Sequence, residues 1–194
     1  MAGRNVAVFL DRDGTINYDP GYLGDPEKVE LLPGVGEGIA KLKNETGAKI
    51  IVISNQSGIT RGLISDSDVN AVNTKINELL ANYGTEIDAF YYCPFHPEFD
   101  SPEKAKCRKP SPEMILKAAK DFDIDLTGSY MVGDMITDVE AGYRAGTKTV
   151  LLTSNKEESE NLTLQNKSIM PTFVATNFLD ACKFIIDDFL RRNN

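Results

Sequence analysis

The chain has 194 residues, 41% of them hydrophobic and 26% charged, a length and balance that suit one domain over residues 1–194 with a core of its own. Its formal net charge of −8 repels a phosphate backbone, which argues against a nucleic-acid partner but not against a small phosphorylated metabolite, because a few local cations and a metal outweigh the global field. No apolar run is long enough to span a membrane, no leader peptide is visible, and the three cysteines Cys93, Cys107 and Cys182 cannot all pair, so a monomer in the reducing cytoplasm is the default expectation.

In chain order, Val6 to Leu10 reads as a buried strand. Gly34 to Thr46 carries Val35, Ile39 and Leu42 at helical spacing, with Gly47 as a stop signal. Lys49 to Ile53 is a second buried strand, and Asp66 to Tyr83 a helix that ends at Gly84. Ala89 to Cys93 is a short strand, and Pro112 to Phe122 a helix with proline near its start. Tyr130 to Val132, Thr149 to Leu152 and Phe173 to Ala175 read as strands, with helices over Ile136 to Ala145 and Leu179 to Leu190. Continuous apolar strands alternating with helices indicate an α/β domain, a doubly wound, Rossmann-like parallel sheet with helices on both faces. Two stretches break the alternation: Asp13 to Pro33, a loop or hairpin, and Pro94 to Pro110, a long loop with four prolines. The polar stretch Ser154 to Ser168 reads as a mobile connection.

In such a sheet the ligand crevice lies beyond the carboxyl ends of the strands, and the unusual polar residues fall there. The first strand runs into Asp11-Arg12-Asp13-Gly14-Thr15. Residues two apart on an extended chain point the same way, so Asp11 and Asp13 are expected to crowd two negative charges into one crevice, a pair that calls for an oxygen-liking cation such as Mg²⁺. The second strand runs into Ser54-Asn55-Gln56-Ser57-Gly58, whose hydroxyl and backbone N–H groups can hold phosphate oxygens. Arg108-Lys109-Pro110 places two cations just before a helix, and Gly133-Asp134 ends a further strand with another carboxylate. Each piece alone has a bland reading: turn chemistry, a helix cap, a solvated surface turn. All four together, in order at the strand ends, are poorly explained that way.

The pattern resembles the haloacid dehalogenase superfamily of phosphatases through Asp11-Arg12-Asp13-Gly14-Thr15, Ser54, Lys109, and Gly133-Asp134 with Asp138. Within it, Phe9 to Asn17, Ser54 to Ile59 with Arg61-Gly62, Tyr91-Tyr92-Cys93-Pro94 and Cys107-Arg108-Lys109-Pro110 are similar to the D,D-heptose 1,7-bisphosphate phosphatases, and much of this is shared with the histidinol-phosphate phosphatases. The resemblance implies that Asp11 attacks phosphorus, that Asp13 protonates the leaving sugar oxygen and then activates water, and that Ser54 and Lys109 stabilise the phosphoryl group. It implies Mg²⁺ held by Asp11, the backbone carbonyl of Asp13, and Asp134. It assigns Arg12, Asp19, Gly21, Tyr22, Asn55, Gln56, Ser57, Arg61 and Arg108 to substrate binding, Arg108 as the recognition cation, and a small phosphorylated sugar as the partner, since no large cap domain fits between the motifs.

Two departures stand out. The family's long loop binds zinc through Cys-x-His and Cys-x-Cys, but Phe95 and Ala105 occupy two of the four ligand positions, so no structural zinc is expected. Met135 stands where the heptose enzymes often carry a substrate-contacting lysine. The runner-up activity is a histidinol-phosphate phosphatase. A phosphoacceptor signalling domain would need an isolated aspartate on a middle strand, where this chain has Ser54.

Overall fold

The computed structural model describes residues 5–153 and 169–193, so the polar connection at 154–168 lies outside the described residues. Six strands, β1 (Ala7–Leu10), β2 (Lys49–Asn55), β3 (Ala89–Cys93), β4 (Tyr130–Gly133), β5 (Lys148–Leu152) and β6 (Phe173–Ala175), form one sheet in the order β3-β2-β1-β4-β5-β6. Every described pairing is parallel. Its helices are α1 (Val35–Thr46), α2 (Asp66–Ala81), α3 (Pro102–Ala105), α4 (Glu113–Asp121), α5 (Ile136–Ala145) and α6 (Phe178–Asn193).

Strand residues alternate between two cores because successive side chains point to opposite faces. Val8, Leu10, Ile50, Val52 and Val132 pack with Ile39 and Leu42 of α1, Val72 and Ile76 of α2, and Phe178 and Ile185 of α6. Ala7, Phe9, Ile51, Ile53 and Met131 pack on the other face with Met114, Ile115 and Ala118 of α4 and Ala141 and Ala145 of α5. Both faces being covered explains why the strands are apolar without alternation. The expected elements are present with ends moved by a few residues. Three short helical turns, Pro26–Lys28, Pro102–Ala105 and Leu126–Gly128, lie where the sequence shows no periodicity, being too short to display one. The stretch after β1 is a rudimentary hairpin: Tyr18 N–H donates to Glu30 O and Leu32 N–H to Ile16 O.

Consecutive strands run outward in one direction from β1 to β3 and in the other from β4 to β6. The reversal falls between β1 and β4, so a crevice opens at their carboxyl ends. Asp11 follows β1 and Asp134 follows β4, with the Asp11 N–H bonded to Val132 O across the junction. Among the described residues no helix is long and apolar enough to cross a membrane.

Candidate active site

A cleft of about 720 Å³ occupies this switch point. Asp11, Asp13, Asp19, Gly21, Tyr22, Ser54, Asn55, Gln56, Ser57, Arg108, Lys109 and Asp134 all border it, joined by Pro110, Met135, Thr137 and Asp138. Its centre is an ion pair with three members. The Lys109 ammonium, buried, lies 2.7 Å from Asp11 Oδ1 and 2.6 Å from Asp138 Oδ1, and donates to Ile53 O at 2.8 Å. Burial disfavours its charge, but Asp11 and Asp138 outweigh that and hold it up, so it stays an ammonium. Its backbone is fixed separately: Lys109 N–H donates to Asn55 Oδ1 and Asn55 Nδ2 donates to Lys109 O.

Asp11, Asp134 and Asp138 each offer an oxygen within 4.8 Å of the others. Burial first, then the neighbouring carboxylate, raises Asp11 to about 7 and Asp134 to about 6, against Lys109 acting in the opposite direction. Asp138 is raised as well, chiefly by burial. One lysine thus faces three carboxylates, Asp138 buried and Asp134 partly exposed. A hard divalent cation with oxygen ligands fits this donor set and this deficit of positive charge.

Glycines make the convergence possible. Gly14 has φ +78°, and a Cβ there would fall 2.4 Å from Asp134 Oδ2; a Cβ on Gly133 would fall 2.2 Å from Asp138 Oδ2. Gly14→Ala therefore combines backbone strain with displacement of Asp134, and its expected result is a loss of activity of about tenfold or more with a lowered melting temperature. Kinetics and thermal melts of the variant check it, and wild-type activity would show that Asp134 need not sit where it does.

Asp13 departs from expectation. It lines the same cleft as Asp11, but its carboxylate stands apart from the acidic trio, because the chain leaves the strand at Asp11 and closes a turn in which the N–H groups of Thr15, Ile16 and Asn17 converge on Arg12 O. The Asp13 carboxylate accepts from Arg12 Nε (3.1 Å) and Nη2 (2.9 Å), from Asn17 Nδ2 (3.0 Å) and from Gln56 Nε2 (2.9 Å). Burial pushes Asp13 up, yet the guanidinium and these donors prevail and hold it below the ordinary carboxylate range. Its carboxylate is absent from the acidic trio, which leaves any metal contact to its backbone.

Two residues expected to bind substrate do not border the cleft. Arg12 is 1% exposed and lies behind Asp13, its fork also meeting Gln56 Oε1 at 3.0 Å. A buried guanidinium needs its donors satisfied, so it serves Asp13 and not a ligand. Arg61 lies outside the lining, 3.5 Å from Glu98 and over the Phe99 ring. Two others border the cleft but have their amides occupied: Asn55 by the Lys109 backbone, Gln56 by Asp13 and the Ser54 hydroxyl. Arg108 does face the cleft, with Nη1 buried and lacking a hydrogen-bond partner.

Sequence reasoning gave no role to Asp138, although it lies in the first turn of α5, four residues after Asp134 at the end of β4, and both carboxylates meet at that helix start. Asp138 Oδ2 also accepts from Met135 N–H, capping that helix. No two cysteines are paired by the sequence, whereas the structure joins Cys93 to Cys107 and leaves Cys182 free and buried. His96, beside Phe95, accepts the Glu98 N–H through Nδ1.

Comparisons place these features among known proteins. Residues 106–181 match the family model described as "HAD-hyrolase-like". The chain is 43% identical over 183 residues to D-glycero-D-manno-heptose-1,7-bisphosphate 7-phosphatase of Chlorobaculum tepidum, covering 90% of each chain. It superimposes with a TM-score of 0.81 on D,D-heptose 1,7-bisphosphate phosphatase from B. bronchiseptica complexed with magnesium and phosphate, at 29% identity over 94% of this chain and 99% of that one. For the enzyme of the same name from Burkholderia thailandensis the TM-score is 0.65 at 30% identity, covering 96% and 99%.

Proposed function

Because the chain belongs to the D-glycero-D-manno-heptose-1,7-bisphosphate 7-phosphatase family of HAD-like hydrolases, we propose that it removes the C7 phosphate of a heptose 1,7-bisphosphate with Mg²⁺. The observation that carries the reading is the Asp11–Lys109–Asp138 ion pair beside Asp134, in a cleft of small-metabolite size.

Asp11 attacks phosphorus, the P–O bond to the sugar breaks, and the sugar oxygen takes a proton from Asp13. Asp13, then a carboxylate, draws a proton from water, which attacks the aspartyl phosphate and releases inorganic phosphate and Asp11. Lys109 and Ser54 neutralise and orient the transferring oxygens. Mg²⁺, when bound by Asp11, Asp134 and the Asp13 backbone, supplies positive charge against the phosphoryl oxygens. Asp138 fixes the Lys109 ammonium. Asp19, Gly21, Tyr22 and Ser57 border the space left for the sugar, and Arg108 supplies a cation for its second phosphate. A monomer acting in the cytoplasm, with no structural zinc and no nucleic-acid partner, completes the proposal.

Phosphate release in Mg²⁺ from a panel of both heptose 1,7-bisphosphate anomers, histidinol phosphate and a 3′-phosphorylated oligonucleotide tests it. Preference for one heptose anomer is expected. Preference for histidinol phosphate would move the substrate and keep the chemistry.

The acidic trio predicts how metal and pH interact. In the metal-free chain the raised Asp11 and Asp134 carboxyls favour folding below about pH 4 and oppose it increasingly as pH rises to about 7. Binding Mg²⁺ requires their ionised forms, so it expels protons and tightens as pH rises through 6 to 7. The expected result is a Mg²⁺-dependent rise in melting temperature that is large at pH 8 and nearly gone at pH 5. A rise independent of pH would place the metal elsewhere.

A further inference from the structure

We propose that the Cys93–Cys107 disulfide is a positioning element for Arg108, so that the thiol state of this pair sets the affinity for the second phosphate without touching the hydrolysis step. The proposal rests on the reading that the substrate is a bisphosphate.

The disulfide joins the end of β3 to the turn that carries Arg108 and Lys109. Cys93 is fully buried at the end of β3, paired in register with Asn55, and its carbonyl accepts the Gln56 N–H. Cys107 directly precedes Arg108. The bond therefore ties the segment of Arg108 to β3, the neighbour of β2, which carries Ser54 and Asn55. The Arg108 backbone bonds only within its own loop, its N–H to Ala105 O and its carbonyl to the Ser111 N–H, and its side chain has little to fix it toward the cleft: Nη1 is buried without a hydrogen-bond partner, and Arg61 nearby repels it. Between the cysteines the chain is held on its outer side, by Thr60 on Asp100 and Arg61 on Glu98, not against the cleft.

Lys109 is one residue further on, yet independent of the disulfide. Asn55 brackets its backbone, and its ammonium is held by Asp11, Asp138 and Ile53 O. Opening the disulfide loosens the recognition cation and leaves the reacting groups in place. The electrons balance: a dithiol supplies two electrons and two protons, the Sγ–Sγ bond breaks, two thiols form, and the dithiol closes to its own cyclic disulfide.

The test is steady-state kinetics on the full chain, oxidised and after dithiothreitol, with the heptose 1,7-bisphosphate and with the matching 7-monophosphate, which lacks the group Arg108 would hold. Thiol titration in denaturant counts the state: one thiol, Cys182, when oxidised and three when reduced. Reduction is expected to raise KM for the bisphosphate roughly tenfold, the scale of a loosened charge-assisted contact, with kcat and both monophosphate parameters unchanged. Cys107→Ser is expected to show the reduced values with or without dithiothreitol. Equal KM values in the two thiol states would overturn the proposal, as would a parallel loss on both substrates, which marks general destabilisation. Three thiols that never pair under mild oxidant, or that hold stoichiometric zinc, would overturn it too. Failure of the bisphosphate reading looks different: neither sugar is hydrolysed in either state, and the proposal falls with it.

Discussion

Asp11→Asn is expected to reduce phosphate release by about 10⁴-fold or more while the protein stays folded. The carboxamide matches the carboxyl in shape but cannot attack phosphorus. The stability side is less obvious. The Asp11 carboxyl is raised to about 7, principally by burial, so its ionised form is disfavoured in the folded chain. A group raised in this way contributes stability below its unfolded value of 3.8 and loses that contribution as pH climbs through 7. Asparagine resembles the protonated form at every pH. The metal-free variant should therefore melt at or above the wild-type temperature at pH 8, with the difference vanishing near pH 4. Phosphate release and thermal melts measure both halves. Retained turnover would remove Asp11 as the nucleophile. A collapse of the melting temperature at pH 8 would show that the Lys109 pairing, not burial, dominates its energetics.

Lys109→Met gives the opposite combination. The methionine fills the stem's volume but leaves Asp11 and Asp138 facing each other without a cation, alongside Asp134. Breaking a buried pair by removing one partner costs roughly 3–5 kcal/mol, because the remaining charges stay buried. The melting temperature should fall clearly at pH 8 and recover as pH drops below about 6, where Asp134 and Asp11 take up protons. With Mg²⁺ added, kcat should still be lower by about 10²- to 10³-fold, the scale of losing one preorganised charge from a phosphoryl site. Unchanged kcat would return Lys109 to an ordinary turn residue. Unchanged stability would mean that water reaches the trio.

The carboxyl-end residues were legible because two simple rules converge on them. Continuous apolar runs mark parallel strands, and parallel strands put their chemistry past their last residue, which singles out Asp11, Ser54 and Asp134. The contact between Lys109 and Asp11 depends on a helix-preceding turn crossing to β1, which no local pattern encodes; only the family likeness supplied it. The i,i+2 rule brings Asp11 and Asp13 to one cleft, but the turn at Arg12 takes the Asp13 carboxylate out of the trio that gathers around Asp11. Arginine in a strand-end motif also reads as a ligand cation, and nothing local reveals that Gln56 and Asn73, distant in sequence, close over it. Asp138 was visible in spacing but not in role, because the need for a counter-charge appears only once Lys109 is seen to be buried.

The guanidinium fork on Asp13 bears on where a proton comes from. Held below the usual carboxylate range, Asp13 is ionised at neutral pH, whereas the proposed mechanism has it give a proton to the departing sugar oxygen. A phosphate monoester loses its second proton near pH about 6, so a fraction of the substrate at pH 7 still carries one. On the proposed mechanism the donor would be loaded by the molecule it acts on: the monoanion would bring the proton in, pass it to Asp13 as the phosphate settles among cations, and recover it on the leaving oxygen. In that cycle Arg12, by its two bonds to Asp13, would keep the resting enzyme from holding a proton that only a bound phosphate should deliver.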